Sequence, residues 1–123
     1  MSKVVGTSVA VVVAAALVAA VAAVAAPSRT ASVTTDAVTA GKPSELKFTL
    51  AKKTVPRGTV TFKVTNKGSL AHDFKIKGKK TVRLRPGKTA TLKVSFAKAG
   101  KFGYLCTVPG HAAGGMKGTL TVK

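Results

Sequence analysis

The chain has 123 residues, enough for one small domain, and its 21 Lys and Arg against three acidic residues give a net charge of +18 at pH 7. A single cysteine excludes a disulfide within the chain. The positive charge favours anionic partners. Only 5% of the residues are aromatic, and most of them alternate with polar residues as buried strand positions do, which argues against nucleic acid as the partner.

The N-terminal segment differs in composition from the rest of the chain. A basic start precedes an uncharged, mostly apolar run over residues 4–26 that contains the small-x-small exit Ala23-Val24-Ala25, a pattern typical of a cleaved secretory signal. The run of 23 residues is also close to the length of about 20 that crosses a bilayer, so an uncleaved anchor is the alternative. Both interpretations predict an exported protein, periplasmic or extracellular, with residues 1–25 as signal peptide or membrane anchor.

The remaining sequence is interpreted as a linker and the start of a first strand over residues 26–40, followed by a domain over residues 41–123. Apolar and polar residues alternate with period 2 along this domain, and turn-forming Gly, Pro and Asn residues separate the alternating segments. Seven or eight short strands at this spacing indicate a β-sandwich or a small barrel. The predicted strands lie near 32–38 and at 45–51, 58–66, 70–76, 81–84, 88–97, 100–107 and 117–123.

The same alternation assigns the side chains to two faces of the predicted sandwich. Apolar residues share one face of each strand and most lysines the other, so the charge is expected on the outside. His72 and Cys106 fall on inner faces. The predicted inward set comprises Val60, Phe62, Val64, Leu70, His72, Phe74, Ile76, Leu92, Val94, Phe96, Phe102, Tyr104, Cys106, Leu120 and Val122.

Four potential metal ligands stand out. The segment CTVPGHAAGGM places Cys106, His111 and Met116 at four-residue gaps in a loop of small residues, and His72 points inward upstream. Two imidazoles, a thiolate and a weak thioether are the donor set that binds copper for electron transfer. Zinc would favour another Cys, His or carboxylate over a methionine. Cys106, His72 and Met116 each also have a purely structural interpretation as core residues, whereas His111 in a loop of small residues has little structural reason to be there. The combined spacing favours a metal site.

The C-x₄-H-x₄-M loop, preceded by AHDF at residues 71–74, resembles the cupredoxins, the type 1 or blue copper proteins related to plastocyanin, azurin and rusticyanin. The resemblance covers most of the exported domain. It implies an all-β Greek-key β-sandwich, preceded by the apolar N-terminal signal or anchor helix, and one type 1 copper ion. It also makes His72, Cys106 and His111 the equatorial ligands and Met116 the axial one, with the Ala71 carbonyl as a further weak contact by similarity to azurin.

One residue departs from the family pattern. Members of the family commonly have Asn after the first ligand His, whereas this chain has Asp73. Thr107 is its expected hydrogen-bond partner, tying the two ligand-bearing segments together.

The implied function is electron transfer by one copper ion that cycles between Cu(I) and Cu(II), with the electron passing through His111. No enzymatic activity is expected, because the chain has no second histidine cluster and no acid–base pair. Residues 106–116 carry no fixed charge, so an apolar window flanked by lysines such as Lys101 and Lys117 is expected to meet redox partners with an acidic rim. Anionic envelope polymers or a membrane surface are further expected contacts of a monomeric protein.

Three alternatives are weighed against electron transfer. A copper storage or delivery protein would use the same ligands, but such proteins are usually rich in Met or His, and this chain has two of each. A Cys–His hydrolase needs a group that orients the histidine, and none is evident. A structural sandwich that binds anionic polymers would leave the loop unexplained.

Overall fold

The structure is a computed structural model that describes Gly6 and residues 33–123. The predicted signal or anchor lies outside the described residues, as does most of the linker, so the predicted division of the chain stays a prediction. Within the described residues there is no helix long and apolar enough to cross a membrane. The described strands are β1 (Val33–Ala40), β2 (Phe48–Leu50), β3 (Thr54–Val55), β4 (Gly58–Asn66), β5 (Lys75–Ile76), β6 (Lys79–Lys80), β7 (Thr89–Phe96), β8 (Gly100–Leu105) and β9 (Lys117–Val122).

These strands form two sheets, with orders β2-β1-β4-β7 and β3-β9-β8-β5-β6. Strand β1 runs parallel to β4 along its whole length, and β4 is antiparallel to β7. In the other sheet β8 and β9 are antiparallel, with Leu105 opposite Lys117 at the end from which the chain continues to Cys106. The predicted all-β class is confirmed. Nine strands replace the predicted seven or eight, because β3 and β6 have only two residues each, too few to produce an alternating pattern, while the predicted strand 81–84 contributes only a bridge at Leu84.

The core lies between the sheets and confirms most of the predicted inward set. Phe62 is fully buried at the centre of β4, with its ring centroid 5.1 Å from that of Phe74 and 6.4 Å from that of Phe96. Burying a side chain of this size stabilises a fold by roughly 1.5–3 kcal/mol. Leu92 and Phe102 are only partly buried at the margin of this core.

The segment 70–84 departs from the prediction. His72 forms an isolated bridge with Leu84, and regular pairing resumes only at Lys75. The predicted strand 70–76 is therefore too long, and the predicted strand 81–84 is wrong. Leu70, predicted to point inward, is 49% exposed. The physical reason is that the Glu45 carboxylate accepts hydrogen bonds from the Leu70 N–H and the Asn66 amide donates to its carbonyl, so side chains replace a strand partner.

Two loops meet closely at this end of the sandwich. Gly41 has a φ of +83°, and a Cβ on it would lie 2.5 Å from the Cα of Gly68. Position 41 requires a glycine, because a residue with a side chain could not adopt this left-handed backbone and also leave room for Gly68. The contact brings the β1–β2 loop, which carries Glu45, against the chain that leads into His72.

Candidate metal centre

Three of the predicted ligands converge at the end of the sandwich. The Nδ1 atoms of His72 and His111 are 3.1 Å apart, and Cys106 Sγ lies 4.0 Å from the first and 3.6 Å from the second. His72 and Cys106 are buried, whereas His111 is partly exposed. The structure therefore brings together two segments more than thirty residues apart in sequence, with one imidazole at the protein surface.

His72 is held by hydrogen bonds of its backbone and by a contact of its ring. Its backbone N–H and C=O bond those of Leu84 at 3.0 and 2.7 Å. Its Nε2 lies 2.7 Å from Oε1 of Glu45, whose pKa is lowered to about 2, first by the N–H groups of Ser69 and then of Leu70. Because a carboxylate can only accept, a hydrogen on Nε2 would satisfy this contact and leave the Nδ1 lone pair facing His111 and Cys106.

Sequence reasoning missed Glu45, because it was assigned only to the start of a predicted strand. The contact depends on a tertiary approach between residues 45 and 72 that no local pattern encodes. One signal was available: Glu45 is one of only three acidic residues in a strongly basic chain.

Cys106 directly follows β8, and its surroundings orient the sulfur. The backbone N–H of Asp73 donates to Sγ at 3.5 Å, and the Cys106 N–H donates to the Met116 carbonyl at 3.1 Å. Burial raises the pKa of the Cys106 thiol. A bound metal ion would counter this effect, because coordination deprotonates a thiol outright.

Asp73 and Thr107 form the predicted clasp between the two ligand-bearing segments. The Thr107 N–H donates to Oδ1 of Asp73 at 2.6 Å, and the Thr107 hydroxyl donates to Oδ2. Asp73 is 2% exposed, so these bonds lie beneath the surface. The clasp fixes the residue after His72 to the residue after Cys106.

The loop from Cys106 to Met116 is closed by its own backbone hydrogen bonds. The His111 N–H donates to the Val108 carbonyl, and the Met116 N–H donates to the His111 carbonyl, each at 3.0 Å. The loop thus leaves His111 at the rim and returns Met116 to the interior. Met116 is fully buried and packs in one cluster with Cys106 and Ala40.

The donor chemistry fits copper. The Nδ1 atoms of His72 and His111 are close enough, at 3.1 Å, to share a proton or to bind one cation between them. Burial, and then the neighbouring His72, lower the pKa of His111, which favours the neutral imidazole that binds metals. The described residues hold one His/Cys/Asp/Glu metal cluster, and it contains His72, Cys106 and His111 without a carboxylate ligand. With a buried thioether beside it, this set is typical of a type 1 copper site.

The surface around the loop corrects one expectation. Lys101 pairs with Thr121, whereas the loop follows Leu105 at the other end of β8, so Lys101 does not flank the window. Lys117 begins β9 directly after the loop and is exposed. Lys47 takes the place of Lys101, since its Nζ lies 3.0 Å from where a Cβ on Gly115 would stand.

Comparisons with known proteins support this fold. The family model of the cupredoxin-like domain matches residues 8–122. The copper-resistant cuproprotein CopI of Pseudomonas aeruginosa is 44% identical over 43 residues, which are 35% of this chain and only 24% of that protein. The fold resembles dithionite-reduced auracyanin from Roseiflexus castenholzii, with 28% identity and a TM-score of 0.54 over 76% of this chain and 98% of that one. It also resembles rusticyanin from Thiobacillus ferrooxidans, with 23% identity and a TM-score of 0.64 over 74% and 77% of the two chains. The match over residues 8–122, on a two-sheet β-fold with a buried His, Cys and Met donor set, shows that the chain belongs to the cupredoxin-like family.

Proposed function

We propose that the protein is an exported electron carrier with one type 1 copper ion bound by His72, Cys106 and His111, and more weakly by Met116. The observation that carries this proposal is the preformed donor set. His72 is fixed by Glu45, Cys106 by the Asp73 N–H, and the two segments by the clasp with Thr107. When bound, copper supplies a one-electron couple between Cu(I) and Cu(II).

A preformed site suits electron transfer because the metal changes charge without a change of ligands. The donors are held by hydrogen bonds from groups outside the set, so they keep their places in both oxidation states. Burial of His72 and Cys106 also keeps solvent from completing a different coordination sphere. No substrate chemistry is proposed, since the carboxylate–imidazole pair at the site, Glu45 with His72, is assigned to holding a copper ligand.

His111 provides the route to the surface. It is the partly exposed donor, and the neighbouring Pro109 and Ala113 are exposed and uncharged. Lys47 and Lys117 lie beside this window, which suits brief contact with a redox partner that has an acidic rim. The N-terminal sequence supports export to the periplasm or beyond, with the leader either cleaved or kept as an anchor.

Copper handling is the second candidate, favoured by the partial match to a protein named as a copper-resistant cuproprotein. In that role the site would bind Cu(I) for storage or delivery. The burial of two donors argues against it. His72 and Cys106 are 0% and 1% exposed, so the thiols of an acceptor protein would have little access to a copper ion that they bind.

One experiment separates the two roles. The copper-loaded protein is repeatedly reduced with hexacyanoferrate(II) and reoxidised with hexacyanoferrate(III) while a competing Cu(I) chelator is present. An electron carrier will undergo many fast, reversible cycles and retain its copper. Loss of the copper to the chelator upon the first reduction would favour copper handling and contradict the proposal.

A further inference from the structure

We propose that Glu45 is a positioning residue for the metal centre: its carboxylate holds His72 in the Nε2–H tautomer, directs Nδ1 to the copper, and stabilises Cu(II) relative to Cu(I). The inference rests on the proposed copper site. It adds a residue from the β1–β2 loop to a site whose ligands come from two other segments.

The Glu45 carboxylate is the acceptor in each of its hydrogen bonds. Oε1 accepts from the Leu70 N–H at 2.8 Å and lies 2.7 Å from His72 Nε2, and Oε2 accepts from the Ser69 N–H at 2.8 Å. Two backbone N–H donors thus orient the carboxylate towards the imidazole. Because a carboxylate accepts only, the neutral imidazole must place its one hydrogen on Nε2.

The chain leaves space for this carboxylate. A Cβ on Gly68 would lie 2.4 Å from Oε1 and 2.9 Å from Cδ of Glu45. The absence of a side chain at position 68 therefore lets the Glu45 carboxylate approach the turn that leads to His72. Glu45 is partly exposed, with 31% of its side-chain surface accessible, whereas the His72 side chain is fully buried.

The charge of Glu45 acts on the metal through the ring. A carboxylate hydrogen-bonded to a ligand imidazole raises the basicity of the nitrogen that binds the metal. A more basic donor favours the more highly charged ion, so the reduction potential falls. Asp73 is the other acidic residue at the site, but its oxygens accept from Thr107 and leave the imidazole to Glu45.

The tautomer is tested without metal. Nitrogen NMR of isotope-labelled histidine in the metal-free protein at about pH 8, above the usual pKa of histidine, reports which nitrogen of His72 carries the hydrogen. The wild type is expected to hold Nε2–H, and Glu45→Gln, which keeps an acceptor oxygen, is expected to retain it. Glu45→Leu is expected to give a mixture. A wild-type Nδ1–H form, or an unchanged tautomer in Glu45→Leu, would overturn the inference.

The electrostatic effect is tested with copper bound. Glu45→Gln is expected to weaken Cu(II) binding about tenfold relative to Cu(I), since partners of ligand imidazoles are worth 10–100-fold in affinity. A tenfold change corresponds to a rise of about 59 mV in potential. Ser44→Lys is the matched control, because it adds the same single positive charge at an exposed neighbour. An unchanged potential in Glu45→Gln, or a shift equal to that of Ser44→Lys, would contradict the proposal.

The outcomes separate the two proposals. A wild-type protein that binds no copper refutes the proposed function, while the metal-free NMR still decides the role of Glu45. A copper-binding wild type with an insensitive Glu45→Gln variant refutes only the role of Glu45. Matched thermal unfolding of the metal-free variants checks that each one is folded.

Discussion

Asp73 places a second carboxylate near the site, on the side of the cysteine. Its backbone N–H donates to Cys106 Sγ, while its side chain accepts from the N–H and hydroxyl of Thr107. A negative charge beside a thiolate ligand disfavours added electron density, so it favours Cu(II) and lowers the reduction potential. We therefore expect Asp73 to add an electrostatic effect to its structural hydrogen bonds.

The change Asp73→Asn separates those two contributions. Asn keeps an acceptor for the Thr107 N–H but removes the charge, so the Cu(II)/Cu(I) affinity ratio is expected to fall about threefold to tenfold, a rise of roughly 30–60 mV. Voltammetry of the copper-loaded protein measures the shift. Thr107→Val is the control, because it removes the hydroxyl bond and leaves the charge. If Asp73→Asn leaves the potential where it was, the charge has no role.

The site at this scale was partly predictable. The spacing of Cys106 and His111 and the inward parity of His72 predicted three residues that meet, and Met116 packs in the cluster of Cys106. The clasp between Asp73 and Thr107 was expected from the resemblance and is confirmed. Glu45 was not predicted, because its contact depends on how one loop packs on another. Parity also failed for Leu70, where side-chain bonds replace the strand ladder.

At the scale of elements, the strands with long alternation were predicted well. Strand β4 has the predicted bounds, and β7 and β9 lie within one residue of theirs. The two-residue strands β3 and β6 were not predicted, since they owe their pairing to neighbouring strands, and β5 is only the last two residues of the predicted strand 70–76. The loop of residues 106–116 is the functional element, because it carries one donor to the rim and another to the interior.

The loop predicts how charge at the window affects electron exchange. Ala113 is exposed beside His111, and Ala113→Asp would place a negative charge where an acidic partner approaches. Reduction by anionic hexacyanoferrate at low salt is expected to slow roughly fivefold to tenfold, with the colour of the copper site unchanged. Stopped-flow absorption measures the rate. Ala113→Asn provides the neutral control, and equal rates in the two variants would argue against transfer through this window.

Across the whole molecule, the three acidic residues are not spread over the surface. Glu45 and Asp73 lie at the metal centre, and Asp36 is fully buried in β1. The described surface therefore carries almost no carboxylate to offset its lysines and arginines. Such a surface favours acidic partners and anionic polymers over basic ones.

The burial of Asp36 predicts an unusual pH dependence of stability. Its Oδ1 accepts from the Lys52 N–H at 2.8 Å, but Oδ2 has no hydrogen-bond partner among the described residues, and burial raises its pKa above 3.8. The native state then binds this proton more tightly than the unfolded state, so its contribution to stability falls as the pH rises from 3.8 through the folded pKa.

Urea unfolding of the metal-free protein between neutral pH and about pH 4 tests this effect. On acidification, the free energy of unfolding of the wild type is expected to increase relative to that of Asp36→Asn, whose amide at position 36 cannot titrate. Parallel pH profiles for the two proteins would show that Asp36 titrates normally in the fold.

The central claim is a type 1 copper site, and its most direct test is Cu(II) titration of the purified protein followed by visible absorption, beside a Cys106→Ser control. The account predicts an intense thiolate-to-copper band that saturates at one copper per chain, fades on reduction, returns on oxidation and is absent in the control. Copper binding without that band, or an equal band in Cys106→Ser, would contradict the assignment of Cys106 as a ligand and with it the account as a whole.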